Sequence, residues 1–372
     1  MMVTGFFSDE RCFWHHGGNY ALTMPVGGFV QPLVAGGLPE SPETKRRLKN
    51  LLEVSGLLQE LQVQSAEPVS FEQLARVHTE SYLKAFKKKS DEGGGELGLR
   101  TPFGAGGYEV CALAAGLATT ALHQVLSGKL DNAYALSRPP GHHALPDFPN
   151  GFCLINNIAV AIEEARHQGL AKKFVVLDWD VHHGNGTEAI FFDRPDVLTI
   201  SIHQDRNYPM DTGQPDVRGK DAGHGFNLNL PLPPGAGHYA YMQVMERFVI
   251  PQIQSFQPDV ILVACGFDAS AMDPLSRTLA TAETFARMTA MVMDVAEQVC
   301  NGRLVMVHEG GYSEAHVPFC GHAVISQLAK SPIDVPDPLA ETLRLRQPDP
   351  RFDRFVDTWL DDIEAVLAPE KS

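Results

Sequence analysis

The stretch FVVLDWDVHHGNG, residues 174–186, joins a short apolar run to a dense group of acidic and histidine side chains. The run up to Asp178 is continuously apolar rather than alternating, which is typical of a strand buried on both faces of a sheet. Four other runs have the same length and character: AYALS (133–137), VLTIS (197–201), VILVACG (260–266) and LVMVH (304–308). We therefore predict an α/β fold built on a parallel sheet.

Helical patterns lie between and around these runs. Helix-start signals and apolar residues three or four positions apart predict helices over 41–56, 108–126, 239–256, 284–299 and 352–367. The sequence shows no internal repeat and no linker. We therefore predict that residues 1–372 form a single domain, with long loops at about 15–40 and 88–107 on its rim.

The composition limits the class of protein. The 372 residues are 44% apolar and 20% charged, and 45 acidic against 30 basic residues give a net charge of −15. These proportions exclude a disordered or fibrous protein, and the charge disfavours nucleic acid or an anionic membrane as a partner while suiting a small cationic substrate. The first residues carry no basic leader, and no apolar run approaches the ~18 residues that span a bilayer. We expect a soluble, cytoplasmic protein.

Six cysteines are scattered along the chain, and none is spaced as CxxC. Such scattering fits free thiols better than a disulfide framework or a cysteine zinc site. The cysteines are therefore predicted to be buried and unpaired.

Polar residues follow all five apolar runs. Ligands of open parallel sheets bind beyond the carboxyl ends of the strands, so chemistry is expected at these positions. In chain order the segments are PPGHH (139–143), DWDVHHGNG (178–186), SIHQ (201–204), GFDAS (266–270) and HEGGY (308–312). The sequence predicts that five strands point toward one pocket.

A metal site is predicted within these segments. An extended backbone would place Asp178, Asp180 and His182 on one face. Two ligands on one face suit a metal, and Asp268 could add a third to give an Asp, His, Asp set. Two carboxylates and one imidazole leave a position for water, as in catalytic zinc sites, although iron or cobalt would also fit. An isolated Asp-x-His would be better interpreted as a capped turn with an internal ion pair. The polar ends of the other four strands favour the metal.

Three further side chains are candidates for catalysis. Adjacent His142 and His143 suit a general base and acid, because histidine changes charge near neutral pH. Tyr312, which follows Gly310 and Gly311, could donate a hydrogen bond to a developing oxyanion, with the glycines allowing a close approach. A structural tyrosine in the core is the alternative.

The motifs PPGHHA, GFC (151–153), DWDVHHGNGT, SIHQ, GFDAS and EGGYS resemble those of zinc-dependent histone deacetylases, in particular the class II-like branch of histone deacetylase-like amidohydrolases. The resemblance extends from about Phe6 to Leu328. It implies an arginase/deacetylase fold, with a central, mostly parallel, eight-stranded sheet and helices on both faces. It also implies hydrolysis of an acyl-lysine-type amide in a narrow tunnel.

The resemblance assigns a role to each matching catalytic position. One zinc per chain would be bound by Asp180, His182 and Asp268, and Tyr312 would polarise the acyl carbonyl. The general base and acid would be His143. The resemblance gives His142, paired with Asp178, an electrostatic role, while Asn185 stands where class I members carry an acid. Which histidine contributes more stays open.

The resemblance also implies substrate contacts and potassium. Phe152 and Tyr208 would form the tunnel walls, and the Gly151 carbonyl would accept from the substrate. Gly310 and Gly311 are also predicted to contact the substrate. A first structural potassium ion beside the zinc, and a second farther away, would be held largely by backbone carbonyls, with ordinary loop packing as the alternative. The first set is Asp178, Asp180, His182, Ser201 and Ile202, and the second is Phe191, Arg194, Val197 and Phe226.

Other functions remain open from the sequence. An acetylpolyamine hydrolase would use the same chemistry, and the negative charge favours it slightly. A module that only binds acyl-lysine is disfavoured by Tyr312, and a two-manganese ureohydrolase is disfavoured because Ser270 stands where it needs a carboxylate. The expected partner is an acyl-lysine peptide or a small acylated amine. Relatives of this branch often assemble as tetramers, so a homo-oligomer is expected.

Overall fold

The computed structural model describes residues 2–18, 20–25 and 38–368. Its centre is a sheet of eight strands in the order β6-β5-β4-β7-β8-β3-β1-β2, and every neighbouring pair is parallel. The strands are β1 (Thr4–Phe7), β2 (Gln62–Gln64), β3 (Asn132–Ala135), β4 (Phe174–Asp178), β5 (Val197–Gln204), β6 (Asn227–Leu232), β7 (Val260–Cys265) and β8 (Leu304–His308). The predicted parallel sheet is confirmed.

Three strands were not predicted. Strand β1 has only four residues and includes Gly5, and β2 is a three-residue edge strand with two exposed residues. Strand β6, with the sequence NLNLPL, alternates polar and apolar residues and contains a proline. Its asparagines can be buried because their polar groups form hydrogen bonds inside the protein, for example from Asn229 Nδ2 to Glu188 Oε2 at 2.7 Å. Apolar runs therefore identify the sheet's centre better than its margins.

Twelve α-helices surround the sheet within the described residues. They are α1 (Glu43–Val54), α2 (Phe71–Leu74), α3 (Glu80–Asp91), α4 (Gly107–Leu126), α5 (Asn157–His167), α6 (Asn185–Phe191), α7 (His238–Val244), α8 (Ile250–Phe256), α9 (Ala282–Cys300), α10 (Val317–Ala329), α11 (Ala340–Leu345) and α12 (Pro350–Leu367). A π-helical turn, Met245–Val249, joins α7 to α8. Every residue of β4, β7 and β8 is buried, so helices and loops cover both faces of the sheet.

Helix α4 differs from the sequence-based expectation. Among the residues that the structure describes, it is the one helix long and apolar enough to cross a membrane by length and composition. The prediction that no apolar run approaches that length is therefore wrong for Gly107–Leu126. Most of the helix is buried, and it packs against α5, as a core helix of a parallel sheet should.

The remaining predictions concern thiols and loops. All six cysteines lie within the described residues, and each is buried and unpaired, as predicted. Of the loop at 15–40, residues 19 and 26–37 lie outside the described residues. In the loop at 88–107, Gly94–Gly95 pairs with Phe103–Gly104 as a short antiparallel ladder. The single-domain organisation of residues 1–372 stays a prediction.

Candidate active site

Strands β4, β7 and β8 are neighbours, so the loops after them begin side by side. Asp178 at the end of β4 is in register with Ala264, and Cys265 is in register with His308. The segments that carry Asp180 and Asp268 therefore leave the sheet side by side at the carboxyl ends of the strands, here called the carboxyl edge.

Asp180, His182 and Asp268 meet at this edge and are all buried. The His182 Nδ1 atom lies 3.0 Å from Asp180 Oδ1 and 3.0 Å from Asp268 Oδ2. One ligand atom from each residue falls within 4.8 Å of the other two. The predicted metal-ligand group is thus brought together.

The local backbone differs from the predicted extended face. Strand β4 ends at Asp178, and the Asp180 amide then donates to Asp178 Oδ1 at 3.0 Å. The His182 amide likewise donates to Asp180 Oδ1 at 3.0 Å. Two successive carboxylate-capped turns therefore shape the segment, so the capped turn and the metal-ligand group coexist.

The surroundings of the two carboxylates fit a divalent cation. Asp180 Oδ2 accepts from the Gly310 amide at 2.8 Å, and Asp268 Oδ1 accepts from the Val181 amide at 2.7 Å, so each carboxylate keeps one oxygen for His182. A Cβ atom on Gly310 would lie 2.2 Å from Asp268 Oδ2 and 2.5 Å from Asp180 Oδ2. Two oxygens and one imidazole nitrogen in a buried group are ligands that zinc accepts.

The same carboxylates perturb the ligand imidazole. Burial opposes a charged His182, but Asp268 and Asp180 outweigh burial and raise the pKa of His182 to about 10. Burial, together with the charge of Asp180, raises the pKa of Asp268 to about 6. Without a metal ion, a proton on His182 holds the two carboxylates together.

The two adjacent histidines have opposite environments. His142 Nδ1 lies 2.8 Å from Asp178 Oδ2, whereas His143 Nδ1 lies 2.7 Å from the Asn185 amide oxygen. Burial opposes the charge on His142, but Asp180 and Asp178 outweigh it and hold the pKa of His142 well above its ordinary value. Burial and the charge of His142 hold the pKa of His143 well below its ordinary value. One imidazole is cationic and the other neutral near pH 7.

A cavity of about 170 Å³ opens beside the ligand group. The Phe152 ring lies 5.7 Å from that of Tyr312, and the Tyr208 ring lies 5.1 Å from that of His143. Burial and the charges of Asp268 and Asp180 raise the pKa of Tyr312 well above its ordinary value, so its phenol keeps its proton. The cavity is lined by Thr23, Arg100, His143, Gly151, Phe152, His182, Asn207, Tyr208, Leu275 and Tyr312.

The three glycines predicted to contact substrate are in different positions. Gly151 lines the cavity at φ +49°, and a Cβ atom there would lie 2.5 Å from the His143 ring. Gly310 and Gly311 are not among the lining residues. Gly310 packs against the carboxylates, and Gly311, at φ +122°, packs against Phe267. Both glycines shape the turn that carries Tyr312.

The residues predicted to bind potassium are in two places. Asp178 and Ser201 are in register on β4 and β5, and the Ser201 hydroxyl lies 2.9 Å from His203 Nδ1. In the second set the Phe191 carbonyl accepts from the Arg194 amide, and the Phe226 carbonyl accepts from the Thr199 amide, both at 3.0 Å. Ile202 and Val197 lie in β5. Potassium binding stays a prediction.

Sequence reasoning missed several supporting residues. Glu309 Oε2 accepts from the amides of Gly141 and His142 at 2.6 and 3.1 Å, so it fixes the loop of the histidine pair. Glu309 is fully buried, and burial raises its pKa to about 7. Its position directly after β8 was a usable signal. No spacing rule indicated Arg100, whose guanidinium lies 5.3 Å from the centre of the Tyr208 ring.

Fold and site together define a protein of the arginase/deacetylase class, a parallel eight-stranded sheet with its site at the carboxyl edge. Residues 38–328 match the histone deacetylase domain. The crystal structure of the HDA15 HD domain superposes with a TM-score of 0.80 at 30% identity, covering 98% of this chain and all of that one.

Sequence relatives agree with this match. A histone deacetylase-like amidohydrolase of Pseudomonas aeruginosa is 56% identical over 97% of this chain and 95% of its own. A probable deacetylase of Archaeoglobus fulgidus is 38% identical over 78% of this chain and 82% of its own, and histone deacetylase 8 of Arabidopsis thaliana is 33% identical over 88% and 90%. The chain belongs to the histone deacetylase family, a family of deacetylases and amidohydrolases.

Glu309 should make stability depend on pH. Its pKa is about 7 in the folded protein against 4.5 as its ordinary value, so the folded state keeps a proton that the unfolded chain releases. The free energy of unfolding should therefore fall as pH rises from about 5 to 7, by up to about 3 kcal/mol from this group. Urea unfolding of Glu309→Gln should show a stability difference from wild type that changes with pH. The exposed Glu53→Gln serves as the control, and a pH-independent difference for Glu309→Gln would contradict the assignment.

Proposed function

We propose that this protein is a zinc-dependent deacylase that hydrolyses the amide of N-acetyl-lysine-type substrates. One observation carries the proposal: the buried Asp180, His182 and Asp268 group lies beside a cavity lined by His143 and Tyr312. Of the relatives, the Pseudomonas protein is named an amidohydrolase and the Archaeoglobus protein a probable deacetylase.

Asp180, His182 and Asp268 would hold one zinc ion per chain. When bound there, zinc lowers the pKa of a water molecule toward ~7 and polarises a carbonyl oxygen. The amides of Gly310 and Val181 keep the two carboxylates oriented, as outer hydrogen bonds do in other metal sites. A structural potassium ion near Asp178 and Ser201 is part of this proposal.

The histidine pair would divide the proton transfer. Asn185 Oδ1 can only accept, so His143 carries its hydrogen on Nδ1 and leaves Nε2 as a free acceptor. Because His143 is neutral and lines the cavity, its Nε2 would take the proton of the attacking water and later give it to the leaving amine. His142, kept cationic by Asp178, would act through its charge and cannot serve as the base.

Tyr312 would stabilise the carbonyl oxygen as charge develops on it. The phenol keeps its proton and therefore donates a hydrogen bond. The Tyr312 amide donates to Asp273 Oδ2 at 2.7 Å, which fixes the backbone that carries the ring. The hydroxyl would thus be positioned before substrate arrives, as electrostatic catalysis requires.

Two aromatic rings would form the channel for the substrate stem. Phe152 and Tyr208 supply apolar area, and each buried methylene of a lysine stem is worth about 0.8 kcal/mol. The Tyr208 hydroxyl donates to Asn150, and Arg100 covers the ring, so this wall is polar at its edge. The Gly151 carbonyl, which faces the Cys153 thiol at 3.4 Å, could also accept from the substrate nitrogen.

The substrate proposal names an acyl-lysine peptide or a small acylated amine. An acylated polyamine is the second candidate, because a net charge of −15 attracts cations. A cytoplasmic homo-oligomer that uses neither nucleic acid nor membrane as a partner completes the proposal. Values of kcat/KM for acetyl-lysine peptides, longer acyl-lysines, acetylpolyamines and esters, measured with metal-depleted and zinc-restored protein, test it. No zinc-dependent amide turnover in the whole panel would refute the deacylase.

Removing the Tyr312 hydroxyl should separate folding from catalysis. Tyr312→Phe is expected to fold, to retain zinc and to lose on the order of 10²–10³ in kcat, as when one oxyanion donor is removed. Zinc content, thermal midpoint and steady-state kinetics are the measurements. Tyr241→Phe, which removes a buried hydroxyl outside the cavity, is the matched control and should keep normal turnover. Near-normal kcat in Tyr312→Phe would eliminate the proposed role.

Zinc affinity should rise with pH. A metal ion must displace the proton of His182, whose pKa is about 10, so the association constant should increase about tenfold per pH unit between pH 6 and 9. Below pH 6 the slope should steepen, since Asp268 with a pKa of about 6 then adds a second proton. Competition with a chelator of known affinity measures this, and a flat profile would be inconsistent with the three ligands.

A further inference from the structure

Three side chains outside the cavity, those of Ser270, His316 and Asp337, form a chain of hydrogen bonds. Ser270 Oγ is 2.6 Å from His316 Nδ1, and His316 Nε2 is 2.9 Å from Asp337 Oδ2. All three residues are largely buried, His316 completely. None of them lines the cavity that holds Tyr312.

The three residue types match a nucleophilic triad, but the geometry excludes that use. Ser270 is 1% exposed, so no substrate carbonyl can approach its hydroxyl. The same hydroxyl also accepts from the Met272 amide at 3.2 Å. Any effect of the Ser270–His316–Asp337 hydrogen bonds must therefore act through neighbouring residues rather than on a substrate.

The hydrogen bond between Ser270 and His316 connects the loop after β7, which carries Asp268, to the loop after β8, which carries Tyr312. Ser270 lies two residues after Asp268, and His316 lies four residues after Tyr312, immediately before α10. Two direct contacts also join these loops: the Tyr312 amide donates to Asp273, and the Phe267 amide donates to the Gly310 carbonyl at 3.0 Å. Of these connections, His316 is the one that continues to the C-terminal segment, residues 332–349.

Asp337 fixes the outer end of the chain. Its Oδ1 accepts from the Leu339 amide at 2.8 Å, and its carbonyl accepts from the Ala340 amide at 3.1 Å, so it is held against the start of α11. Gln347 then anchors the segment, since its side chain accepts from the His238 amide and donates to the Leu279 carbonyl, both at 2.8 Å. The segment borders a groove of about 610 Å³ that Asp337 helps to line.

We propose that His316 and Asp337 are positioning residues that set the spacing between Asp268 and Tyr312, with the C-terminal segment as their support. The inference rests on the proposed deacylase function. A misplacement of about 1 Å in a catalytic group can cost 10²-fold in rate. Loosening these hydrogen bonds should therefore lower kcat while leaving KM nearly unchanged, because the proposed binding walls Phe152 and Tyr208 lie on other loops. Of the residues that line the cavity, only Leu275 and Tyr312 lie on the two loops that would loosen.

The test compares Asp337→Ala with Asp334→Ala in zinc-loaded protein. Asp334 is exposed on the same segment and forms no hydrogen bond or ion pair with another described residue, so it is the matched control. Asp337→Ala should lower kcat about tenfold or more with KM within about twofold, while Asp334→Ala should match wild type. Asp337→Asn, whose amide oxygen still accepts from His316, should recover part of the loss.

A second measurement does not depend on activity. Amide hydrogen exchange of peptides covering 266–275 and 309–317 should be faster in Asp337→Ala than in Asp334→Ala. His316→Asn, which can still reach Ser270 but not Asp337, should show the same faster exchange and replaces Asp337→Ala if that variant does not fold.

The outcomes are separable. A lower thermal midpoint with unchanged kcat and unchanged exchange in both loops would mean a purely structural role and would overturn the inference. If wild type shows no zinc-dependent amide turnover with any substrate of the panel, the proposed function fails, and the exchange data alone then decide whether the Ser270–His316–Asp337 hydrogen bonds control the two loops.

Discussion

The site depends on one constraint: several carboxylates are buried together at the carboxyl ends of the central strands. Asp178, Asp180 and Asp268 are all removed from water, and an unpaired buried carboxylate costs several kcal/mol. The fold compensates them with two imidazoles, His142 and His182, and with backbone amides. The high pKa values of these histidines are the result of that compensation, and a divalent cation would replace the His182 proton in the same role.

The same constraint explains why adjacent histidines differ. His142 faces Asp178 and is cationic. His143 faces the neutral Asn185, and burial and the charge of His142 oppose protonation of its ring. The sequence left open which histidine contributes more. The pairing favours His143 as the proton acceptor in the proposed mechanism, since a group that is already protonated cannot serve as a base.

Much of this arrangement was predictable from the sequence because parallel strands end at a common edge. The continuous apolar runs identified β4, β7 and β8, and the polar residues after them identified Asp180 and Asp268. The backbone that joins Asp178 to His182 was not predictable, because carboxylate-capped turns replace the extended strand. Glu309 stands directly after β8, but its contacts with the amides of Gly141 and His142 appear only in the structure. Asp337 lies far along the chain from Ser270 and follows no spacing rule, so its link to the site is visible only in three dimensions.

The margins of the sheet limit how copies of this chain can associate. At one end β2 offers three residues with glutamine at both of its ends, and at the other β6 is fully buried, with the Trp359 indole donating to its Pro231 carbonyl. Neither margin offers a long apolar template for strand addition. Within the described residues, addition of a further strand to either margin of the eight-stranded sheet is therefore disfavoured in the native state.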